Sequence, residues 1–220
     1  MRWGLRWLCL TGSLLLLAAC GTQPVRQGTY TVKAGDTLYS IAWRHDMDYR
    51  ELARLNHIGS DYLIYPGQVL RLSRAVAPPK RVTKPASPAR PAVIAPPTNI
   101  HWQWPSRASN YTATTRPNGG VGLVVKGQLG QDVVAAASGR VVYTGTGLLG
   151  YGQLIIIKHD EVYLSAYGHT QSVLVSEGEQ VSAGQKIATM GTDPSGAPLL
   201  YFEIRVNGQP TDPLPLLPRR

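Results

Sequence analysis

Leu199-Leu-Tyr-Phe-Glu-Ile-Arg-Val206 belongs to a series of runs rich in Val, Ile and Tyr that dominate the chain from Asp132 onward, set apart by glycines. Working outward from it, the others are Val133-Val-Ala-Ala-Ala137, Val141-Val-Tyr143, Leu154-Ile-Ile-Ile157 and Val162-Tyr-Leu-Ser-Ala-Tyr167. β-Branched and aromatic residues suit a pleated, packed surface, so short runs of them between turn residues predict strands, and their spacing predicts a compact antiparallel sheet or sandwich with no long helix. The module starts near His101-Trp-Gln-Trp-Pro105 and extends to residue 220, enough chain to bury a core without crosslinks.

A smaller α+β module occupies residues 29–73. Tyr30-Thr-Val32 alternates like a strand, Gly35-Asp36 is a turn, and Leu38, Ile41 and Ala42 fall at i, i+3 and i+4 on one helical face. Asp48 followed by Glu51 has the spacing of a capping box and predicts a second helix carrying Leu52 and Leu55. Pro66-Gly67 then turns into Val69-Leu-Arg-Leu72, so the order is strand, helix, helix, strand. Between the modules, residues 74–100 carry recurrent prolines and no apolar period, which predicts a semi-extended linker unable to bury enough surface to offset its ordering entropy.

Charge and cysteine use narrow the function. The 22 Lys and Arg exceed the 13 Asp and Glu, and much of the excess sits at Arg71, Arg74, Lys80, Arg81, Lys84 and Arg90. That stretch lacks both a nucleic-acid-binding fold and base-stacking aromatics, so it reads as a solvated linker near anionic polymers and not as a nucleic-acid interface. Arg2 and Arg6 ahead of the apolar run Leu8–Ala18 are a secretory signal too short to span a bilayer, which assigns residues 1–19 to a signal peptide. Cys9 leaves with it, so the mature chain keeps only Cys20 and forms no intramolecular disulfide. No serine, and not Cys20, has a positioned base, which argues against nucleophilic catalysis.

Three sets of motifs resemble known families. Leu17-Ala-Ala-Cys20 resembles the lipobox of bacterial lipoproteins, which implies lipidation of Cys20 and a tether over residues 20–28. With Gly21 next, it also implies an outer-membrane lipoprotein facing the periplasm. Tyr30-Thr-Val-Lys-Ala-Gly-Asp-Thr-Leu-Tyr-Ser-Ile-Ala42, Leu52-Ala-Arg-Leu-Asn56 and Ile64-Tyr-Pro-Gly-Gln-Val-Leu70 resemble a LysM domain. The resemblance implies peptidoglycan binding in a shallow groove that sets Gly35, Asp36, Thr37 and Leu38 opposite Ile64 and Tyr65. Gly139-Arg-Val-Val-Tyr143, Leu154-Ile-Ile-Ile-Lys-His159, Ala166-Tyr-Gly-His169 and Gly184-Gln-Lys-Ile-Ala-Thr-Met-Gly191 resemble the LytM-type (lysostaphin-like) metallopeptidase domain. That implies a mainly-β antiparallel domain of the duplicated-hybrid-motif kind over residues 101–220.

The resemblance also implies a lost active site. Active members hold zinc with a His, an Asp four residues on, and the second His of His-x-His, while two further His act on the water and the transition state. Position by position these fall on Asn118, Gly122, Tyr201, Leu199 and His169, and only His169 is retained. No histidine lies between His101 and His159 or after His169, so no shift of register restores the ligands. A catalytic zinc needs three protein ligands and an open position, which implies a degenerate domain with no metal, no cofactor and no enzymatic activity.

Across the mature chain the whole resembles the NlpD group of envelope proteins. The resemblance implies a non-catalytic activator of periplasmic N-acetylmuramoyl-L-alanine amidases, acting in septal wall splitting and cell separation. The residues implied to line the partner groove are Asn118, Gly122, Tyr151, Tyr167, His169, Leu199 and Tyr201. A zinc endopeptidase of peptidoglycan crosslinks and a passive tether between outer membrane and wall are the alternatives.

Overall fold

The computed structural model describes residues 28–72, 99–115 and 121–219. The signal, Cys20, most of the linker and Asn118 lie outside them.

The small module is β1 (Thr29–Thr31), α1 (Leu38–Arg44), α2 (Tyr49–Leu55) and β2 (Val69–Arg71). β1 and β2 pair antiparallel with Tyr30 opposite Leu70, and Leu38, Ile41, Ala42 and Leu52 are buried as the helical period predicts. The helix starts differ from the sequence reading in one respect. The reciprocal capping box sits on α1, where the Thr37 side chain accepts from the Ser40 N–H at 3.1 Å and the Ser40 hydroxyl accepts from the Thr37 N–H at 3.0 Å. Asp48 does cap α2, accepting from the N–H groups of Arg50 and Glu51. The Glu51 carboxylate, however, turns along the helix to Arg54 at 3.9 Å, while the Arg50 side chain takes up both Asp48 oxygens.

The large module is a ten-stranded antiparallel sheet. Its strands are β3 (Asn110–Thr115), β4 (Val121–Lys126), β5 (Asp132–Val134), β6 (Gly139–Gly145), β7 (Gln153–Lys158), β8 (Tyr163–Val173), β9 (Gln180–Val181), β10 (Lys186–Thr192), β11 (Pro198–Val206) and β12 (Gln209–Thr211). The spatial order is β3-β4-β11-β10-β8-β7-β6-β9, with β12 on β11, β5 on β10 and a further pairing of β11 with β8. Central β11 therefore lies between β4 and β8, with Tyr201 opposite Val124 on one side and Gly168 on the other.

Strand alternation gives this sheet two unlike faces. Leu200, Phe202, Ile204 and Val206 turn to a core that includes Leu123, Val125, Ile155, Ile157, Tyr163 and Tyr167. Tyr201 turns the other way, into a cluster shared with the small module, where Leu154, Ile156, Leu164 and Ala166 meet Trp43, Tyr49 and Leu52. The LysM-like module thus caps the second face, and Leu154–Ile157 of β7 is apolar without alternation because neither side meets water.

On the first face, His159 closes the Tyr163 end of the core. Its Nδ1 lies 2.8 Å from the Ser138 carbonyl, which only accepts, so Nδ1 carries the proton. Nε2 lies 2.7 Å from Ser165 Oγ, itself 2.9 Å from the Tyr167 hydroxyl, which accepts from the Ala136 N–H. Trp102 stands edge-on to the ring at 4.8 Å, and burial pushes the imidazole pKa down to about 4. Because the folded pKa lies below the unfolded value of about 6.5, stability is complete above that value and is lost as pH falls toward 4. Urea unfolding followed from about pH 7 to about pH 4 should show up to about 3 kcal/mol of loss that a His159→Gln chain lacks. Equal pH slopes in the two chains would show that His159 is not the titrating group.

Candidate functional site

Leu199 and Tyr201, the positions expected from the resemblance to replace a His-x-His pair, share one face of β11. That face carries a buried ion network. Glu203 and Arg205 are both fully buried. The Tyr201 hydroxyl donates to Glu203 Oε2 at 2.8 Å and the Tyr151 hydroxyl donates to the same oxygen at 3.1 Å. Arg205 Nε donates to the other oxygen, Oε1, at 2.7 Å.

The guanidinium then crosses into the small module. Nη1 donates to the Trp43 carbonyl at 2.9 Å, and the Arg205 carbon Cζ lies 3.8 Å from the centroid of the Trp43 ring. Nη2 stands 3.1 Å from Asp46 Oδ1, an ion contact without hydrogen-bond alignment. Burial by itself disfavours the charge, but Glu203, Tyr151 and Asp46 more than offset it and the Arg205 pKa is raised. A ladder of rings continues the contact, with Trp43 edge-on to Tyr151 at 6.4 Å and Tyr151 edge-on to Tyr201 at 5.5 Å. Polar contacts rim the interface, from Tyr49 to Glu161 at 2.9 Å, Arg50 to Asn207 at 2.7 Å and Gln209 to the Asp46 carbonyl at 2.9 Å.

Of the residues expected to line a partner groove, Gly122, Tyr151, Leu199 and Tyr201 gather on or beside this face and all are buried. Gly122 is a place where only glycine fits, since a Cβ there would stand 2.7 Å from the Tyr201 hydroxyl. His169 sits at the β8 bulge with φ +57°, its N–H donating to the Tyr151 carbonyl at 2.7 Å. Tyr167 is on the opposite face, paired with Phe202 and buried in the first core, because one step along β8 reverses the side chain.

The expected glycan residues divide similarly. Leu38 is buried in the core and Thr37 caps α1, while Gly35 sits at φ +81° and Tyr65 is exposed. The Asp36 carboxylate is spent internally, accepting from the Tyr30 hydroxyl at 2.7 Å, the Lys33 N–H at 2.9 Å and Arg44 at 3.2 Å.

A zinc ion does not fit the donors present. Leu199 supplies none, and the Tyr201 phenol keeps its proton for Glu203. Among the described residues no three His, Cys, Asp or Glu side chains form a metal-holding group. Sequence reading missed Glu203, Arg205 and Trp43 as a unit, although charges at alternate positions of an apolar strand mark one face as having polar partners.

This two-faced antiparallel sheet with a helical cap is a LysM domain joined to a metallopeptidase-type β domain, and comparison with known proteins agrees. Residues 30–73 match the LysM domain model and residues 118–213 match that of peptidase family M23. The chain is 40% identical to the lipoprotein NlpD/LppB homolog of Pseudomonas aeruginosa over 92% of its own length and 81% of the relative's. It is 41% identical to the uncharacterized lipoprotein YgeR of Escherichia coli, over 93% of this chain and 89% of that one. The murein hydrolase activator NlpD of Escherichia coli is 34% identical, over 87% and 68%. Among solved structures, the catalytic domain of lysostaphin from Staphylococcus simulans aligns at 30% identity with a TM-score of 0.44, covering 49% of this chain and 90% of that one. The chain belongs to the NlpD/LppB family of lipoproteins.

Arg205→Met strands the buried Glu203 carboxylate without its cation, so chemical denaturation should show a loss of about 3–5 kcal/mol. Adding Glu203→Gln should recover a large part of it. A single-variant cost under about 1 kcal/mol would mean that the pair is solvated and does not hold this face.

Proposed function

We propose that the chain is a non-catalytic, peptidoglycan-binding envelope lipoprotein that activates periplasmic N-acetylmuramoyl-L-alanine amidases in septal wall splitting and cell separation. In this reading Cys20 carries the lipid that holds it to the outer membrane, the body faces the periplasm, and residues 74–100 let the modules reach the wall. Among the described residues no helix is long and apolar enough to cross a membrane. Relatives named murein hydrolase activators support the class of role.

The observation that carries the reading is the Tyr201–Glu203 hydrogen bond. At the position where a hydrolase would hold zinc, the side chain is committed to the protein's own packing, with Leu199 beside it, so what this face offers is a shaped surface and not a reactive centre. Asn118, Gly122, Tyr151, His169, Leu199 and Tyr201 are the proposed contacts for an amidase segment, with Tyr167 serving the sheet's other core. Because Tyr151 and Tyr201 are 2% and 3% exposed, the segment reaches them by displacing their cover. Capture of an inhibitory amidase segment shifts that enzyme toward its open state by the difference in affinity for the two states. Anchoring and wall binding raise the local concentration of the activator.

Purified peptidoglycan incubated with this protein alone, with an amidase alone and with both should release products well above the amidase background only in the mixture. Release by the protein alone would establish a peptidase instead, and no release from any amidase of a panel would leave a tether.

A further inference from the structure

Where the small module meets the loop between β6 and β7 there is a cavity of about 1010 Å³. One rim is the 33–36 loop of the LysM domain and the other is residues 144–151 of the β domain, so neither domain forms it alone. Arg44 clips the rims together, donating to Asp36 at 3.2 Å and to the Gly147 carbonyl at 3.3 Å. Glycine at 147 permits the close approach, since a Cβ there would stand 3.0 Å from the Tyr143 hydroxyl and 3.9 Å from Arg44.

Three features of the cavity ask for a ligand. Trp43 lines it, 2% exposed, and gives it an apolar aromatic wall. Leu149, on the distal rim, is 97% exposed, an apolar side chain held out over a binding space. Lys33, on the LysM rim, is exposed and enters no ion pair among the described residues, so it brings a cation to the mouth beside the paired Arg44 and Asp36. An aromatic wall, a small apolar contact and a cation together suit a sugar with apolar ring faces, acetamido methyl groups and carboxylates.

We propose that this cavity is a composite saccharide site, in which an N-acetylated, carboxylate-bearing amino-sugar strand held at the LysM rim is gripped on its other side by Leu149 and the 145–150 loop. The inference rests on the peptidoglycan-binding reading and extends it, because wall binding then also fastens the LysM domain to the β domain.

The full chain is titrated by calorimetry with a soluble tetrasaccharide of alternating N-acetylglucosamine and N-acetylmuramic acid, and with the neutral N-acetylglucosamine tetramer. Leu149→Ser, outside the LysM domain and solvent-exposed, should weaken the first ligand about tenfold, the worth of one buried aliphatic contact, with an unchanged melting temperature. Lys33→Glu should weaken the carboxylated tetramer more than the neutral one. Unaltered affinity in Leu149→Ser would overturn the composite site while leaving LysM binding standing. No binding by the unaltered chain would overturn the peptidoglycan reading as well.

Discussion

The buried pair of Glu203 and Arg205 is the constraint on which the arrangement turns. Removing two charges from water costs several kcal/mol each, and only close, fully bonded geometry offsets it. Glu203 meets that condition with two tyrosine hydroxyls and a guanidinium, and Arg205 approaches it with Glu203, the Trp43 carbonyl and the Trp43 ring, its Nη2 held only by the charge of Asp46. Since Trp43 lies on α1, the charge on the central strand is satisfied only with the LysM domain seated. Packing supplies the bulk of the interface energy, through Tyr49, Leu52, Ile156 and Leu164. The ion pair supplies its register, because a non-directional apolar contact could slide and a guanidinium between a carboxylate and a carbonyl cannot.

The same network gives the Tyr201 face of β11 a structural use. A catalytic zinc site must leave a ligand position open to water. Here Tyr201 bends its hydroxyl down to Glu203, fills the space above Gly122, and receives Tyr151 and then Trp43 as successive lids. Each step replaces an open polar position by a buried, partnered one. The face is therefore held together by its own side chains and shaped by aromatic rings, the material from which recognition surfaces are made.

Much of the architecture was legible in the residues. Val, Ile and Tyr runs marked the strands, and the period of Leu38, Ile41 and Ala42 marked the first helix, because local propensity and burial point the same way there. What escaped was non-local. The absence of alternation in Leu154-Ile-Ile-Ile157 signalled burial on both faces, but not that the small module supplies the second cover. Register across β8 and β11 decides that Tyr167 and Tyr201 point apart, and register is invisible without the pairing. The capping box at Thr37 was missed because its partner is Ser40 and not the Glu or Gln usual at that spacing. That Leu199 and Tyr201 carry no imidazole is plain from the sequence, whereas the buried network on their face depended on Trp43, which is 162 residues from Arg205.

The most direct test of the seated, ion-paired arrangement is nuclear magnetic resonance of the Arg205 side chain in the full chain. A guanidinium packed 3.8 Å from the Trp43 ring centroid and bonded to Glu203 should give Nε–H and Cδ–H signals displaced by the ring current, with slow exchange against water. Signals at solvent-exposed positions, exchanging freely, would contradict it.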